Sequence, residues 1–500
     1  MQRNFRRFAV LGVLCLLAIA SPAGDAPTRQ DVNPERDLAP ASDWYGLYGP
    51  QGKKIGCLHA SLALHGSGES AFYRRTENAK VQTSVLGERI DMEMQSHIDF
   101  DPRPPYALRG GRSKESDGTS EKVLVLARSE KGFEATIEEA GEKRRMQVPE
   151  INVTLADELA PEIWIRRQKR AVGEKWVSPS FDIEELTTDI VTCVIKASHE
   201  TVADGVRMTY YDVQLSSEKD GDLGIVRSTQ AGKLISAKVG GLFEMRLEPE
   251  ALAKKIEASS DLFVSTMAPV DAPLGDPEAV TRLVLEVSGA GAGKIASGAN
   301  QALTKEGDVY VLSLGAGQGT PASATAADLA EYTKESVHLP IKHEKIVALA
   351  GQAVGNAKND KDKVAKLVSF VSEYIEDNYS AEPLTVLDLI RVKKGDCTEH
   401  AALFATLARA AGIPAREVSG LMYMGDEFKA FGGHAWNEVV LDGKWVAVDA
   451  TWNRTKLTAT HIRLNSADRD QGTSMNVLGQ VKFKLREVVP EPKATSAQQK

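Results

Sequence analysis

Between Trp44 and about residue 250, apolar and polar side chains alternate with a period of two. The stretch ERIDMEMQSHIDF is the clearest case. Ile90, Met92, Met94, Ile98 and Phe100 fall on one side, and Arg89, Asp91, Glu93, Gln95 and Asp99 on the other. Such alternation predicts half-buried strands of an antiparallel sheet, one face on a core and the other in water. KVLVLA, GFEATIE, TTDIVTCVIKA, VRMTYYDVQL and GKLISAKV repeat it, split by turn signals such as SEKG and KDGD. Residues 43–250 are therefore expected to form an all-β antiparallel domain, a curved sheet or open barrel.

From residue 344 the period lengthens to 3.6. In NDKDKVAKLVSFVSEYIEDNY, Val364, Leu367, Val368, Val371 and Ile375 share one helical face behind a cap at Asn359 or Asp360. A shorter helix is predicted over PLTVLDLI, opening with Pro383 and Thr385. Another starts at Cys397 in GDCTEHAALFATLARAAGIPAR, turns Leu403, Phe404, Leu407 and Ala408 inward, and ends at Gly412 before Pro414. FGGHAWNEVVLDGKWVAVDAT then reads as two strands joined by Asp442-Gly443, the preferred two-residue hairpin turn. The chain thus reads as α+β: helices and a β hairpin within residues 336–485, preceded by the all-β domain. Between them, residues 251–335 are expected to be a linker with a small β hairpin. Its GAGAGK string is no phosphate loop, because Ser288 and Ile295 stand where Gly and Ser/Thr are required.

The two ends read differently from the rest. Arg3, Arg6 and Arg7 precede a 13-residue apolar run, FAVLGVLCLLAIA, with small residues at its end and just beyond, Ala18, Ala20, Ser21 and Ala23. That is the layout of a signal peptide, residues 1–23, too short to span a bilayer as a helix. A flexible leader is expected over 24–42 and a disordered tail over 486–500. The expected location is outside the cytoplasm, periplasmic or extracellular, with no stable membrane insertion.

Composition narrows the partners. The 500 residues are 42% hydrophobic and 26% charged, with a net charge of -8, and no basic cluster has aromatics interleaved. Nucleic acid is therefore not an expected partner. Of the four cysteines, Cys15 leaves with the signal; Cys57, Cys193 and Cys397 remain. An odd number in an oxidising compartment leaves one thiol unpaired. Either Cys57 and Cys193 form a bridge, or all three are reduced; Cys397 is free on both readings.

Cys397 is where chemistry is expected. Asp396 and Glu399 form a capping box, which fixes Cys397 at the first helical position. There the unpaired N–H groups and the positive end of the helix dipole favour a thiolate. A nucleophile needs a base, and the base an orienting partner. If Leu441 pairs with Lys444, then His434 opposes Thr451 and Trp436 opposes Asp449. His434 and Asp449 are diagonal neighbours on one face, able to form a His–Asp hydrogen bond. Trp436 and Trp445 share that face and are expected to shield the pair from water. Cys397-x-x-His400 is explained by consecutive helix positions, and no metal or other cofactor is expected.

GDCTEHAALFATLARAAGIPAR followed by GHAWNEVVLDGKWVAVDATWN resembles the core of the transglutaminase-like superfamily, over roughly residues 340–480. The resemblance implies a papain-like architecture of helices packed on an antiparallel sheet, with Cys397 as nucleophile, His434 as general base and then acid, and Asp449 as the group orienting His434. It implies cleavage or exchange of amide bonds in proteins or peptides through an acyl-thioester. Water as acceptor gives hydrolysis and an amine gives transfer. The Cys397 backbone N–H is a candidate oxyanion donor, while no Gln or Trp upstream of the helix offers a second. Calcium sites of animal transglutaminases are not traceable, and the zinc CxxC pairs of the peptide glycanase branch are absent. The rival reading is a binding or scaffold protein with a vestigial domain of this type; arylamine acetylation is a further one, disfavoured by export away from coenzyme A.

Overall fold

The computed structural model describes residues 41–491 except 86, 119, 204–205, 241–242, 258–260, 321, 379–384 and 465–476. The expected signal peptide, the leader up to residue 40, Pro383 and the tail from residue 492 lie outside the described residues. Two compact units are formed. One holds the chain up to Ser265 together with Ser336–His338 and Asn378–Gly395; the other holds Thr266–Glu335, Leu339–Asp377 and the chain from Asp396 on. No described helix is long and apolar enough to cross a membrane.

Among the described residues, the first unit is one 14-stranded antiparallel sheet, from Ala41–Tyr48 to Phe243–Glu248. Its order runs from the eighth strand back to the first, then from the fourteenth back to the ninth. The period-two reading holds along it: Ile90, Met92, Met94, Ile98 and Phe100 are buried. One helix, Leu155–Arg167, joins the two edge strands Glu142–Val148 and Lys175–Asp182. Every residue from Leu155 to Ile165 is buried, so the sheet wraps the helix from more than one side.

Burying that helix takes Asp157 and Glu158 out of water. Asp157 closes a capping box with Thr154, and Glu158 accepts from Arg75 Nη1 at 2.5 Å and from the Phe181 N–H at 3.1 Å. Cys57 and Cys193 lie on strands six places apart in the order, and both thiols are free. At about 4.8 Å per strand that separation exceeds the reach of a disulfide. The possible bridge is therefore absent.

In the second unit, helices Glu344–Val354, Asp360–Tyr374 and Cys397–Ala410 pack on one another, the second capped by Asn359. Val364, Leu367, Val368 and Val371 form its buried face. The helix Cys397–Ala410 lies on strands Ala415–Tyr423 and Ala430–Leu441. These pair with each other, Ala415–Tyr423 pairs also with His461–Arg463, and Lys444–Val448 closes the hairpin on Ala430–Leu441. The segment expected as a linker with a small hairpin contributes strands Val280–Ser288, Gln301–Glu306 and Val309–Gly315 to a sheet. Val280–Ser288 pairs with Val309–Gly315 on one side and with Lys482–Pro490 on the other, a strand that runs into the expected tail. That partner arrives from some two hundred residues away, beyond the reach of any local pattern.

Candidate active site

Cys397 is the first residue of its helix. The Asp396 carboxylate accepts from the Thr398 N–H at 2.7 Å, and Glu399 reaches back to the Asp396 N–H at 2.9 Å, completing the capping box. Burial, reinforced by the neighbouring Asp396 carboxylate, pushes the Glu399 carboxyl well above the usual range. His400 is turned into the helix, its Nδ1 within 2.8 Å of the Asp396 carbonyl.

The hairpin has the expected register. Leu441 pairs with Lys444 and the ladder runs unshifted to Asn437 opposite Val448. Asp442 and Gly443 have φ of 50° and 72°, as a turn with two left-handed residues requires. Asp449 then leaves the ladder to pair with Arg454. His434 Nε2 lies 2.7 Å from Asp449 Oδ2, and Cys397 is near enough for its side chain to raise the proton affinity of the imidazole. With Nε2 engaged by Asp449, Nδ1 is the ring nitrogen left for the thiol.

Electrostatics follow from that placement. Burial alone would pull the His434 pKa down; the Asp449 carboxylate, and after it Cys397, reverse this and raise it to about 10. Burial pushes Asp449 the other way, but His434 and then His461 hold it well below the usual carboxylate range. Asp449 is fully buried, and its Oδ1 accepts from the backbone N–H groups of Thr451 at 2.9 Å and Trp452 at 3.4 Å.

Trp436 stacks on His434, ring centroids 5.9 Å apart. It fits because residue 420 is glycine: a Cβ there would stand 2.2 Å from the Trp436 ring and 2.3 Å from the Ile462 carbonyl oxygen. The expectation for Trp445 is corrected. It shares the face but lies farther along the strand, over the Arg416 guanidinium at 3.8 Å and edge-on to Tyr332. Arg416 is in turn paired with Glu438 at 2.6 Å.

Two residues escape the sequence reading. Asn437, fully buried, donates from Nδ2 to the Ala401 carbonyl at 2.9 Å and so ties the Cys397 helix to the His434 strand. His461 places Nε2 3.3 Å from Asp449 Oδ2, the oxygen already bonded to His434. Asn437 looks like an ordinary polar strand position. The three-residue strand His461–Arg463 is too short to show any period.

His434, Asp449 and His461 offer one atom each within 4.8 Å of one another, a set that could hold a divalent cation. Two imidazoles and a carboxylate suit zinc. Such an ion would have to displace the protons that now bridge each ring to Asp449, and His434 holds its proton strongly. The hydrogen bonds account for the cluster without a metal.

The sequence model of the transglutaminase-like superfamily matches residues 347–450. This segment is a transglutaminase-like core. Cys397, His434 and Asp449 all fall inside the match, and His461 lies beyond it. Kyphoscoliosis peptidase from Homo sapiens is 29% identical over 115 residues, 21% of this chain, and the Mus musculus protein of that name matches to the same extent. The match spans 17% of the length of these relatives, so it concerns the core alone. Among solved structures, a candidate cysteine protease from Cytophaga hutchinsonii is 15% identical, with 45% of this chain and 85% of that one covered at a TM-score of 0.27. A candidate protease from Parabacteroides distasonis is 10% identical, covering 68% and 69% at a TM-score of 0.19. Overlaps of this quality carry no weight beyond the transglutaminase-like core already matched.

Proposed function

We propose that the protein is an exported, periplasmic or extracellular cysteine-dependent enzyme that acts on amide bonds of proteins or peptides through an acyl-thioester. The observation that carries this reading is His434, buried with its Nε2 2.7 Å from Asp449 and with Cys397 near enough to raise its proton affinity.

With its proton already held on His434 Nδ1, Cys397 Sγ attacks the carboxamide carbon. A C–S bond forms, the carbonyl electrons move to oxygen, and the Cys397 backbone N–H faces the oxyanion. The Thr398 N–H is committed to Asp396 and does not compete for that role. Collapse breaks the C–N bond, and His434 returns its proton to the departing amine. Acylation also removes the sulfur charge that helps hold the His434 proton, so the imidazolium becomes a stronger acid at the step that needs one. Water or an amine then attacks the thioester, gives its proton to His434, and the thiol leaves. The relatives' name, peptidase, favours water as the acceptor.

Iodoacetamide labelling followed by peptide mass spectrometry tests the reading. Cys397 should label near neutral pH far faster than a free peptide thiol, and His434→Ala should slow it by about a hundredfold or more. Cys57 and Cys193, both buried, should label only on unfolding. Labelling of Cys397 at the rate of a free thiol would sink the enzyme and favour the scaffold reading. A glutamine donor offered with and without a labelled amine then separates transfer from hydrolysis.

A further inference from the structure

We propose that His461 is a positioning residue of this site: its Nε2–H, sharing Asp449 Oδ2 with His434, fixes the carboxylate so that His434 Nδ1 stays aimed at Cys397. The inference rests on the function proposed above and assigns a residue outside the matched core.

The tautomer follows from geometry. His461 Nε2 is 3.3 Å from a carboxylate oxygen that is fully buried. A lone pair there would face a negative charge with no water to intervene, so Nε2 must carry the hydrogen. Nδ1 is then an acceptor, and the Thr458 hydroxyl lies 3.4 Å from it. Thr458 Oγ1 is itself 2.7 Å from Thr460 Oγ1, which anchors this end of the network to the strand bearing His461.

Asp449 therefore receives four donors. Thr451 and Trp452 N–H hold Oδ1, while the two imidazoles converge on Oδ2. The backbone pair alone leaves the carboxylate free to tilt about Oδ1. The second imidazole, on the same oxygen as His434, restricts that freedom further. Its ring is edge-on to Trp436 at 5.5 Å and to His434 at 5.7 Å, so the aromatic that covers the base also holds the second histidine. One proton acceptor thus serves two rings, and Cys397 acts on the protonation of His434.

A packing role and a donor role predict opposite orders for two substitutions. His461→Phe keeps the ring and its edge contact but has no N–H; His461→Gln loses the ring and keeps an N–H donor. For the full chain we expect Cys397 alkylation at neutral pH to fall about tenfold in His461→Phe, the worth of one hydrogen bond to a charged group. It should recover to within about threefold of wild type in His461→Gln. The downfield proton resonance of His434 Nε2 should broaden away in the Phe variant and persist in the Gln variant. Phe labelling as fast as wild type, or faster than Gln, overturns the proposal. If His461→Phe does not fold, His461→Met replaces it as the non-donor. If wild-type Cys397 proves no more reactive than a free thiol, the enzymatic reading fails and the resonance decides this one. Persistence in both variants counts against it; loss in the non-donor alone supports it.

Discussion

The two units bury charge in opposite ways. In the 14-stranded sheet, Arg75 stands between Glu158 at 2.5 Å and Glu77 at 3.4 Å, all three nearly inaccessible. In the transglutaminase-like core, Asp449 stands between His434 at 2.7 Å and His461 at 3.3 Å. The first cluster centres on a cation that never loses its proton and has no nucleophile beside it. The second centres on an anion that raises the proton affinity of an imidazole near the Cys397 thiol. Cysteines repeat the contrast: burial pushes the Cys193 thiol up to about 12, whereas Cys397 sits at a helix start with a histidine at hand. Burial of ionic groups alone does not make a site. What makes one is a titratable group with two partners, one of which reacts.

Breaking each cluster should therefore have a different signature. Arg75→Met leaves two buried carboxylates without their cation, and should cost about 3–5 kcal/mol of stability by urea denaturation. It should leave the rate of Cys397 labelling unchanged in the folded protein. A large labelling defect at full stability would show that the contrast between the clusters is wrong.

Gly420→Ala acts on the other cluster, with a smaller effect. The added Cβ must push the Trp436 ring or the Ile462 carbonyl aside. Overpacking of this kind costs about 1–3 kcal/mol. Because Trp436 covers His434, Cys397 labelling should slow as well, and crystals of the variant should show the indole displaced. Wild-type labelling with an unmoved indole would separate the tryptophan from the chemistry.

Much of this site was legible in the sequence for local reasons. A capping box spans four residues, and an Asp-Gly turn sets the parity of every position in its hairpin. Cys397, His434 and Asp449 could thus be placed without knowing the rest of the fold. Where the reading failed, the deciding partner was distant. The helix Leu155–Arg167 is buried along its length from Leu155 to Ile165, and Glu158 finds Arg75 eighty-three residues earlier. Strand Val280–Ser288 looked like half of an isolated hairpin because its second neighbour, Lys482–Pro490, lies near the other end of the chain. Trp445 lies on the expected face, but Arg416 captures it. His461 carried no pattern at all.

Titration gives the finest distinction between the clusters. Burial raises the Glu77 carboxyl to about 7, and among the described residues no donor has hydrogen-bond geometry to its Oε1. His434 is raised to about 10. Both groups bind a proton more tightly folded than unfolded, so each stabilises most below its unfolded pKa and loses that contribution as pH rises through its folded value. For Glu77 the window runs from its ordinary 4.5 to about 7, and for His434 from 6.5 to about 10. Hydrogen exchange should therefore show protection in the strand Phe72–Val85 declining first, between pH 5 and 7 by about 2 kcal/mol. Protection in Ala430–Leu441 should decline only above neutrality. Glu77→Gln should flatten the first slope and spare the second, while Asp449→Asn should do the reverse. A single slope shared by both segments would mean that the two clusters titrate as one.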